Sequence, residues 1–561
     1  STGMCQVGEE FGEPAPEELP RPRSGRELKC MKCKDVLPVV VIRAGDAFCR
    51  DCFKVFYVHK FRAVLGKNRL IFPGEKVLLA WSGGPSSSSM VWQVLEGLSR
   101  DSAKRLRFVP GVVYIDSATA ENPLLKGSAT CGFYRNYHLE GFSMLTMSCL
   151  PGSSPISHDS FCLPVSEGAV CGQSPEDRAK TLAEVKLILQ TVGFPWHIVA
   201  LEEVFSLPPS VLRYFAQEPV GTKGAYKVAV DSFLQQQHAP AQGEEQQSQP
   251  GTQDPQSPAG PPTAAQTEAL SRLFDSVKTL TAKEELLQTL RTHLILHVAR
   301  THGYSKVMTG DSCTRLAIKL MTSLALGRGA FLAWDTGFSD ERHGDVVVVR
   351  PMRDHTLKEV AFYNRLFGVP SVFTPAIDTK ASEKASIHRL MEAFMLRLQA
   401  QFPSTVSTVY RTSETLVKAP RDSGAAGPLG PRCLLCMCTL DIDTADSATA
   451  FGAQTSHLSQ TQPPTSPAET PTAPCCSAGV GRTQGCCQGA GPCGRKDPRG
   501  HVIEQLCYGC RVNMKDLPSL DPLPPYILAE AQLRSQRAWV SQEIQEYLIE
   551  DSDDEVHTGE S

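Results

Sequence analysis

The chain has 561 residues, a formal net charge of −4 and a pI of about 6.4. This length exceeds one ordinary domain, and the slightly acidic balance excludes a protein that binds nucleic acid through its overall charge. No apolar run reaches membrane-spanning length and no apolar leader is present, so we predict a cytoplasmic protein that makes no membrane contact.

Two cysteine pairs near the N-terminus predict a zinc ribbon. They follow residues 1–27, which we expect to be disordered, and have the spacing C-x2-C-x15-C-x2-C. Two such turns supply the tetrahedron of thiolates that structural zinc prefers, whereas four unrelated cysteines are the alternative. Segment 39–42, followed by Gly45, predicts a hairpin that brings the pairs together. The predicted ligands are Cys30, Cys33, Cys49 and Cys52.

Basic and aromatic residues alternate in the helix predicted after the ribbon, which completes segment 28–72. Positive side chains can bind phosphates and aromatic rings can stack on bases, so one interpretation is a nucleic-acid surface. The other is an amphipathic helix whose aromatic residues pack on the next domain. Both remain open on the sequence alone. The residues proposed for the first interpretation are Lys54, Lys60, Arg62, Lys67 and Arg69.

A predicted strand at 76–80 leads into a Ser/Gly turn and then a helix at 91–98. This order presents backbone N–H groups and a helix N-terminus to a phosphate, and Gly83 and Gly84 allow close approach of the backbone. The turn lacks the Lys-Ser/Thr of a Walker loop and the glycine spacing of a dinucleotide site. A serine-rich turn without a ligand is therefore an equal alternative.

Further strands and helices alternate along the chain. The predicted strands are 107–116, 196–201, 304–310 and 345–351, and the predicted helices are 174–193, 270–298, 357–365 and 386–401. This alternation predicts an α/β fold with a doubly wound, mostly parallel sheet, formed by 73–234 and 269–420. Residues 117–166 are expected to be an insertion without its own core, and 235–268 a disordered linker. We interpret His293 and His297 as ordinary helix histidines.

A second set of cysteine pairs predicts another zinc element in segment 421–515. The long stretch between the pairs is rich in Ser, Thr, Gly, Pro and Gln, and we expect its further cysteines to be bystanders in a disordered loop. A helix and an acidic tail are predicted for 516–561. The predicted ligands are Cys433, Cys436, Cys507 and Cys510.

Together these motifs resemble the ATP-pyrophosphatase (PP-loop) superfamily, in particular its tRNA 2-thiolation branch. The supporting stretches are 30–52, 72–84, 309–311, 350–351 and 506–510. The resemblance implies an adenine-nucleotide hydrolase-like fold and a reaction in which ATP activates the C2 oxygen of the wobble uridine in tRNAs for Lys, Glu and Gln. Sulfur then comes from a thiocarboxylated ubiquitin-like carrier. The nucleotide-binding positions that it implies are Ser82, Gly83, Gly84, Ser86, Ser87, Gly310 and Asp311.

The chain departs from the catalytic pattern of that branch. Ser86 stands where the catalytic loop has Asp, and Thr314 and Arg315 stand where the family's Gly-His-Asn-x-Asp-Asp patch ends in two carboxylates. Both working cysteines of that branch are absent as well. We therefore expect a non-catalytic subunit that forms a heterodimer with an intact homologue, which binds most of the ATP. One alternative is an autonomous enzyme that uses the 82–87 loop and Cys313, and another is a zinc-dependent interaction module without tRNA contact.

Overall fold

The computed structural model describes residues 29–42, 46–99, 105–120, 171–173, 175–213, 262–374, 377, 381–402, 404–416, 432–438, 440, 502–517 and 519–545. The predictions for residues 1–27, for nearly all of the 117–166 insertion, for the low-complexity stretch between the later cysteine pairs and for the acidic tail lie outside these residues. The chain divides into two compact units, Ser1–Phe56 and Tyr57–Ser561.

The first unit contains the predicted hairpin. Strands β1 (Val40–Val41) and β2 (Ala47–Phe48) pair antiparallel, with Val40 opposite Phe48. Helix α1 (Arg50–Asn68) starts in this unit, directly after the second cysteine pair begins. The rings of Phe48 and Phe56 stack with their centroids 5.0 Å apart, which fixes the hairpin against the first turns of the helix.

The second unit is built from alternating strands and helices. Its strands are β3 (Lys76–Ala80), β4 (Val109–Asp116), β5 (Ala118–Ala120), β6 (Cys171–Gln173), β7 (Trp196–Ala200), β8 (Lys306–Thr309), β9 (Ser339–Asp340) and β10 (Val347–Val349). Its further helices are α2 (Pro85–Leu98), α3 (Pro175–Val192), α4 (Ala264–Ser276), α5 (Leu280–Thr301), α6 (Cys313–Ala325), α7 (Leu332–Thr336), α8 (Leu357–Phe367), α9 (Ile387–Gln401), α10 (Thr405–Glu414), α11 (Tyr508–Met514) and α12 (Pro525–Gln545).

The central sheet has the strand order β7-β4-β3-β8-β10-β9. All neighbouring strands are parallel except β9, which runs antiparallel to β10 at one edge. The chain proceeds outward from β3 through β4 to β7 and returns to β8 on the other side of β3. It then forms the edge strand β9, and β10 is inserted between β9 and β8. The order of winding therefore reverses between β3 and β8, and the predicted doubly wound, mostly parallel fold is confirmed.

Apolar side chains on the central strands are buried by helices. Leu78 of β3 belongs to a large cluster that includes the apolar stripe of α5 and residues of α4 and α12. Val77 and Leu79 alternate with Leu78 and are equally buried on the other face. The helical periodicity predicted for the α5 region is confirmed by the burial of Leu286, Leu290, Leu294 and Val298.

Helix α4 begins earlier than the sequence indicated. The predicted linker 235–268 runs into this helix, which starts at Ala264. Thr263 Oγ1 accepts a hydrogen bond from the Gln266 backbone N–H, and Gln266 Oε1 accepts one from the Thr263 backbone N–H, which forms a capping box. The capping residues are polar, so composition alone assigned them to the linker. None of the helices within the described ranges combines the length and hydropathy that crossing a membrane requires.

Candidate functional site

The Ser/Gly turn and the Gly310 turn lie where the sheet reverses its order of winding. The first follows β3 and the second follows β8, and these two strands are neighbours. Ligands of doubly wound proteins bind outside the carboxyl ends of the strands at this reversal point. The fold therefore brings the two predicted halves of a nucleotide site to the expected place.

The Ser/Gly turn joins β3 to α2 through two glycines with distinct roles. Gly83 has φ +81°, a value that side-chain-bearing residues rarely adopt, and Gly84 is the N-cap of α2. Pro85 occupies the first helical position, where its missing N–H leaves no partner unsatisfied. The turn also approaches its surroundings closely, because a Cβ on Gly83 would lie 3.3 Å from the Val372 Cβ.

The serine hydroxyls of the turn are bonded within the turn. Ser87 Oγ accepts the backbone N–H of Ser82 at 3.2 Å and donates to the Gly84 carbonyl at 3.0 Å. Ser88 Oγ donates to the Gly83 carbonyl at 3.3 Å and accepts from Trp81 Nε1 at 2.9 Å. The Ser82 N–H and the Ser87 hydroxyl, both of which the sequence offered to a phosphate, are thus engaged by the protein itself.

Two neighbouring segments close on the same turn. A Cβ on Gly310 would come within 2.6 Å of the Ser87 Cα and 2.7 Å of its nitrogen, so the β8 turn rests on the first turn of α2. The Val372 N–H donates to the Gly83 carbonyl at 2.9 Å from another side. Ser86 and Ser87 are each only 2% exposed. The arrangement packs the helix N-terminus against protein atoms.

Asp311 is partly exposed and belongs to a network of charges. Its carboxylate accepts from Thr309 Oγ1 at 2.9 Å and lies 3.3 Å from Arg350 Nε. Burial raises the pKa of Asp311, but Lys319, Arg350 and the Thr309 hydroxyl together outweigh it and lower the pKa below its ordinary value. Asp311 therefore stays ionised and acts as a structural partner of Arg350, whose Nη1 also donates to the Gly337 carbonyl at 2.9 Å.

Cys313 lies buried in an apolar cluster. It is 3% exposed and packs with Leu316, Met395 and Tyr410 on α6, α9 and α10. A thiol in such surroundings is disfavoured as a thiolate and has little access to a substrate. The alternative of an enzyme that uses Cys313 has no support in this geometry.

The four N-terminal cysteines converge as the spacing predicted. The sulfur atoms of Cys30, Cys33, Cys49 and Cys52 all lie within 4.8 Å of one another. The Cys33 and Cys49 sulfurs are 3.9 Å apart. The tight first turn is closed by the Lys34 N–H, which donates to the Cys30 carbonyl at 2.8 Å.

The four later cysteines converge as well, despite the seventy residues between their pairs. The sulfurs of Cys433, Cys436, Cys507 and Cys510 also lie within 4.8 Å of one another, with 3.6 Å between Cys436 and Cys507. The Leu434 N–H donates to the Gln505 carbonyl at 2.8 Å, which joins the two pairs through the backbone. His293 binds the first turn, because its Nε2 lies 2.8 Å from the Leu435 carbonyl.

Both clusters have the dimensions of a site for one metal ion. Four thiolates around a single zinc ion at about 2.3 Å have sulfur separations of about 3.8 Å, which is close to the distances found here. In a cubane cluster each thiolate binds a different iron, so its sulfurs lie further apart. The donor sets therefore fit one tetrahedral, thiophilic ion each.

Two partly buried arginines beside the later cluster were not anticipated from the sequence. Arg342 Nη1 lies 2.9 Å from the sulfur of Cys438, and Arg328 Nη2 lies 4.0 Å from that of Cys510. Burial lowers the pKa of Arg328, but Glu285 and the nearby cysteines raise it well above the ordinary value. Arg328 also pairs with Glu285, and Arg342 pairs with Asp335 and Asp340, so each arginine connects the region of the cluster to carboxylates of the second unit. Because both arginines lie far along the chain from the cysteines, no local sequence pattern predicted these contacts.

The basic residues of α1 and its C-terminal flank differ in their surroundings. Lys60 Nζ lies 2.9 Å from both carboxylate oxygens of Glu359, so protein atoms compensate its charge. Lys67 and Arg69 are exposed, whereas Lys54 and Arg62 are partly buried. The expectation that Lys60 contacts a polyanion is not supported by this ion pair.

The aromatic residues of α1 pack inside the protein. Phe53, Tyr57 and Phe61 are no more than 1% exposed. The Tyr57 ring stacks on Tyr363 with 4.2 Å between centroids, and its hydroxyl lies 2.7 Å from Ser89 Oγ. These rings therefore follow the packing interpretation, and base stacking by them is excluded.

Comparisons with known proteins identify close relatives. The family model described as cytoplasmic tRNA 2-thiolation protein 2 matches residues 386–512. Proteins of that name from Bos taurus and Homo sapiens are 73% and 72% identical to the chain, over 100% and 99% of both partners. The protein of that name from Danio rerio is 45% identical and covers 98% of this chain and 100% of its own length.

A solved structure was also found, described as the U34-tRNA thiolase NcsA from Methanococcus maripaludis with its [4Fe-4S] cluster. It is 12% identical and aligns with 76% of this chain and 96% of its own, with a TM-score of 0.41. This likeness is too low to transfer site residues or a metal. The assignment of the chain rests on the sequence relatives.

Proposed function

Since the chain belongs to the family of cytoplasmic tRNA 2-thiolation protein 2, as the resemblance predicted, we propose that it is the non-catalytic subunit of a tRNA-thiolating heterodimer. Its partner is an intact PP-loop homologue that binds ATP and performs the chemistry. The product is the 2-thiolated wobble uridine of tRNAs for Lys, Glu and Gln. The complex works in the cytoplasm, which is the location in the relatives' names and the one expected from the sequence.

The observation that carries this proposal is the self-satisfied Ser/Gly turn. Ser87 Oγ accepts a hydrogen bond from the Ser82 N–H, and the β8 turn at Gly310 packs directly on Ser87. Activation of a carbonyl oxygen by ATP needs donors preorganised toward the phosphates and carboxylates that hold the metal. Here Ser86 replaces the loop aspartate, and the carboxylate that remains, Asp311, is bound to Arg350.

We propose that each cysteine cluster holds a structural zinc ion. The ligands are the two sets of four described above, whose thiolates leave the ion no open position for a substrate. The ion when bound joins chain segments that have little regular structure of their own. In the later cluster it connects the 433–438 turn to the start of α11.

Contact with tRNA is proposed for exposed basic residues rather than for the aromatic ones. Lys67 and Arg69 at the end of α1 are accessible to a phosphate backbone, and Lys54 and Arg62 remain candidates with partial exposure. Sulfur reaches the partner from a thiocarboxylated ubiquitin-like carrier. A fixed scaffold that aligns tRNA beside an active subunit needs none of the reactive thiols that this chain lacks.

The test is reconstitution from purified components. The chain alone, the intact homologue alone and the pair are each assayed for ATP-dependent thiolation of a wobble-uridine tRNA. We expect turnover from the pair and none from this chain, and Ser86→Ala in this chain should leave the turnover of the pair within about 2-fold. Substitution of the loop aspartate in the homologue should abolish it. Thiolation by this chain alone would overturn the proposal.

A further inference from the structure

Helix α12 is anchored through its first half. Tyr526 is 1% exposed and its hydroxyl lies 2.6 Å from His293 Nδ1. The Ala531 carbonyl accepts from Gln505 Nε2 at 3.0 Å, and Arg534 Nη1 donates to the Arg432 carbonyl at 2.7 Å. These contacts fix the direction of the helix on the body of the second unit.

The second half of the same helix extends beyond these contacts. From Gln536 onward, every side chain whose exposure is described is exposed, including Trp539 at 61%, Val540 at 44% and Ile544 at 51%. At 3.6 residues per turn these three apolar side chains fall within about 140° of arc on one side of the helix. A helix end without packing is marginal in water, and tryptophan is a typical anchor residue of interfaces.

The sequence that follows the helix is strongly acidic. Residues 550–555 read Glu-Asp-Ser-Asp-Asp-Glu. A partner that receives the apolar side of α12 must therefore tolerate, or attract, negative charge close to the end of the helix. This requirement is met by an apolar groove that has lysine or arginine side chains at its rim.

We propose that the projecting end of α12 docks into such a basic-rimmed apolar groove on the catalytic homologue, an inference that rests on the proposed heterodimer. The phosphates of tRNA would repel the acidic segment, so RNA does not suit this surface. A second copy of this chain would bring a second acidic segment of the same sign. A protein with positive charge around an apolar groove fits both the apolar side of α12 and the acidic segment 550–555.

The decisive variant replaces Trp539, Val540 and Ile544 together by alanine, the residue that best preserves a helix. Ala538→Gln, an exposed change on the other side of the same helix, is the matched control. A third variant neutralises the tail with Asp551→Asn, Asp553→Asn, Asp554→Asn and Glu555→Gln. Each full-length chain is titrated with the homologue at low and high salt, and its melting temperature is measured alone.

We expect the triple-alanine variant to bind the homologue roughly 10-fold more weakly or worse, with an unchanged melting temperature, and the control to stay within about 2-fold. The neutral tail should weaken binding at low salt and much less at high salt. At saturating concentrations the triple-alanine pair should still thiolate tRNA.

Unchanged affinity of the triple-alanine chain, in a wild-type pair that binds and thiolates, would overturn the docking inference alone. Loss of self-association or of tRNA binding in that variant would overturn it too, because the occupant would then be a second copy or RNA. A wild-type pair that neither forms nor thiolates would overturn the proposed function first.

Discussion

Gly310 and Ser87 are in such close contact that position 310 has no room for a Cβ atom. A Cβ on Gly310 would meet the Ser87 Cα at 2.6 Å and the Ser87 nitrogen at 2.7 Å, and both of these are backbone atoms. The two residues follow β8 and β3, neighbouring strands at the reversal point of the sheet. The contact therefore fixes how the two turns of the candidate site meet.

Gly310→Ala should destabilise the second unit by about 1–3 kcal/mol, because backbone atoms cannot rotate away from the new methyl group as a side chain would. Thermal or denaturant unfolding of the full chain measures this. Gly66→Ala is the control, because a Cβ at Gly66 in α1 meets nothing within 4 Å. That change should be neutral or stabilise by about 0.5–1 kcal/mol. Equal effects of the two substitutions would contradict the close contact.

Lys60→Ala should lower the stability of the chain, whereas Lys67→Ala should change tRNA binding instead. Lys60 neutralises Glu359, whose side chain is 4% exposed, so its removal should cost about 2 kcal/mol of stability. Lys67 is exposed, and its removal should leave stability unchanged while lowering the salt dependence of tRNA binding by about one unit of slope.

The two lysine variants are compared by denaturant unfolding and by tRNA titration across salt concentrations. Combining Lys60→Ala with Glu359→Gln should recover part of the lost stability, since no buried charge is then left unpaired. A loss of tRNA affinity in the Lys60 variant without a loss of stability would show that its charge faces RNA after all.

The sequence predicted the five parallel strands of the central sheet and most helices, because local patterns determine them. The period of Leu286 and Leu290 identified α5, and the C-x2-C pairs located both thiolate clusters. What it left open depends on contacts between distant segments. Whether Tyr57 stacks on a base or on Tyr363 is decided by α8, some three hundred residues later. No local pattern carries that information.

The same limit applies to the polar side chains of the candidate site. Ser82 and Ser87 have the residue types of a phosphate loop, and their hydroxyls could have faced a ligand or each other. The 3.0 Å contact between the two oxygens depends on the backbone geometry of the turn, which the residue types alone do not specify. Likewise, Arg328 and Arg342 lie far along the chain from the cysteines that they accompany, so only the fold reveals their role.

Stability should fall as the pH falls below about 6.5. His293 is buried, and burial, the largest influence, lowers its pKa from 6.5 to about 4, although the Leu435 carbonyl opposes this effect. Between these pH values the unfolded chain binds a proton that the folded chain does not, so acidification favours unfolding. His355 behaves in the same way, with a pKa of about 4. Each histidine steepens the dependence by up to about 1.4 kcal/mol per pH unit.

Denaturant unfolding between pH 7.5 and 5.5 measures this dependence. His293→Gln should be less stable at pH 7.5 but should lose less stability on acidification than the unmodified chain. Tyr526→Phe is the control, because it removes the hydrogen bond to His293 while keeping the titrating ring. Its pH dependence should resemble that of the unmodified chain. Parallel pH curves for His293→Gln and the unmodified chain would contradict the assignment.

Elemental analysis should find two zinc ions per chain, one for each thiolate cluster. Cys33→Ser and Cys436→Ser should each remove about one equivalent, because three thiolates hold zinc less tightly than four. The Cys436 variant should also lose stability, since binding of a structural ion contributes to the free energy of folding. Cys438→Ser is the matched control, because Cys438 is buried beside Arg342 but outside the set of four converging sulfurs. If the Cys438 variant retains two equivalents of zinc, Cys438 is not a ligand. Stoichiometric iron, or loss of an ion on changing Cys438, would show that the later cluster binds a different group or uses a different fourth thiolate.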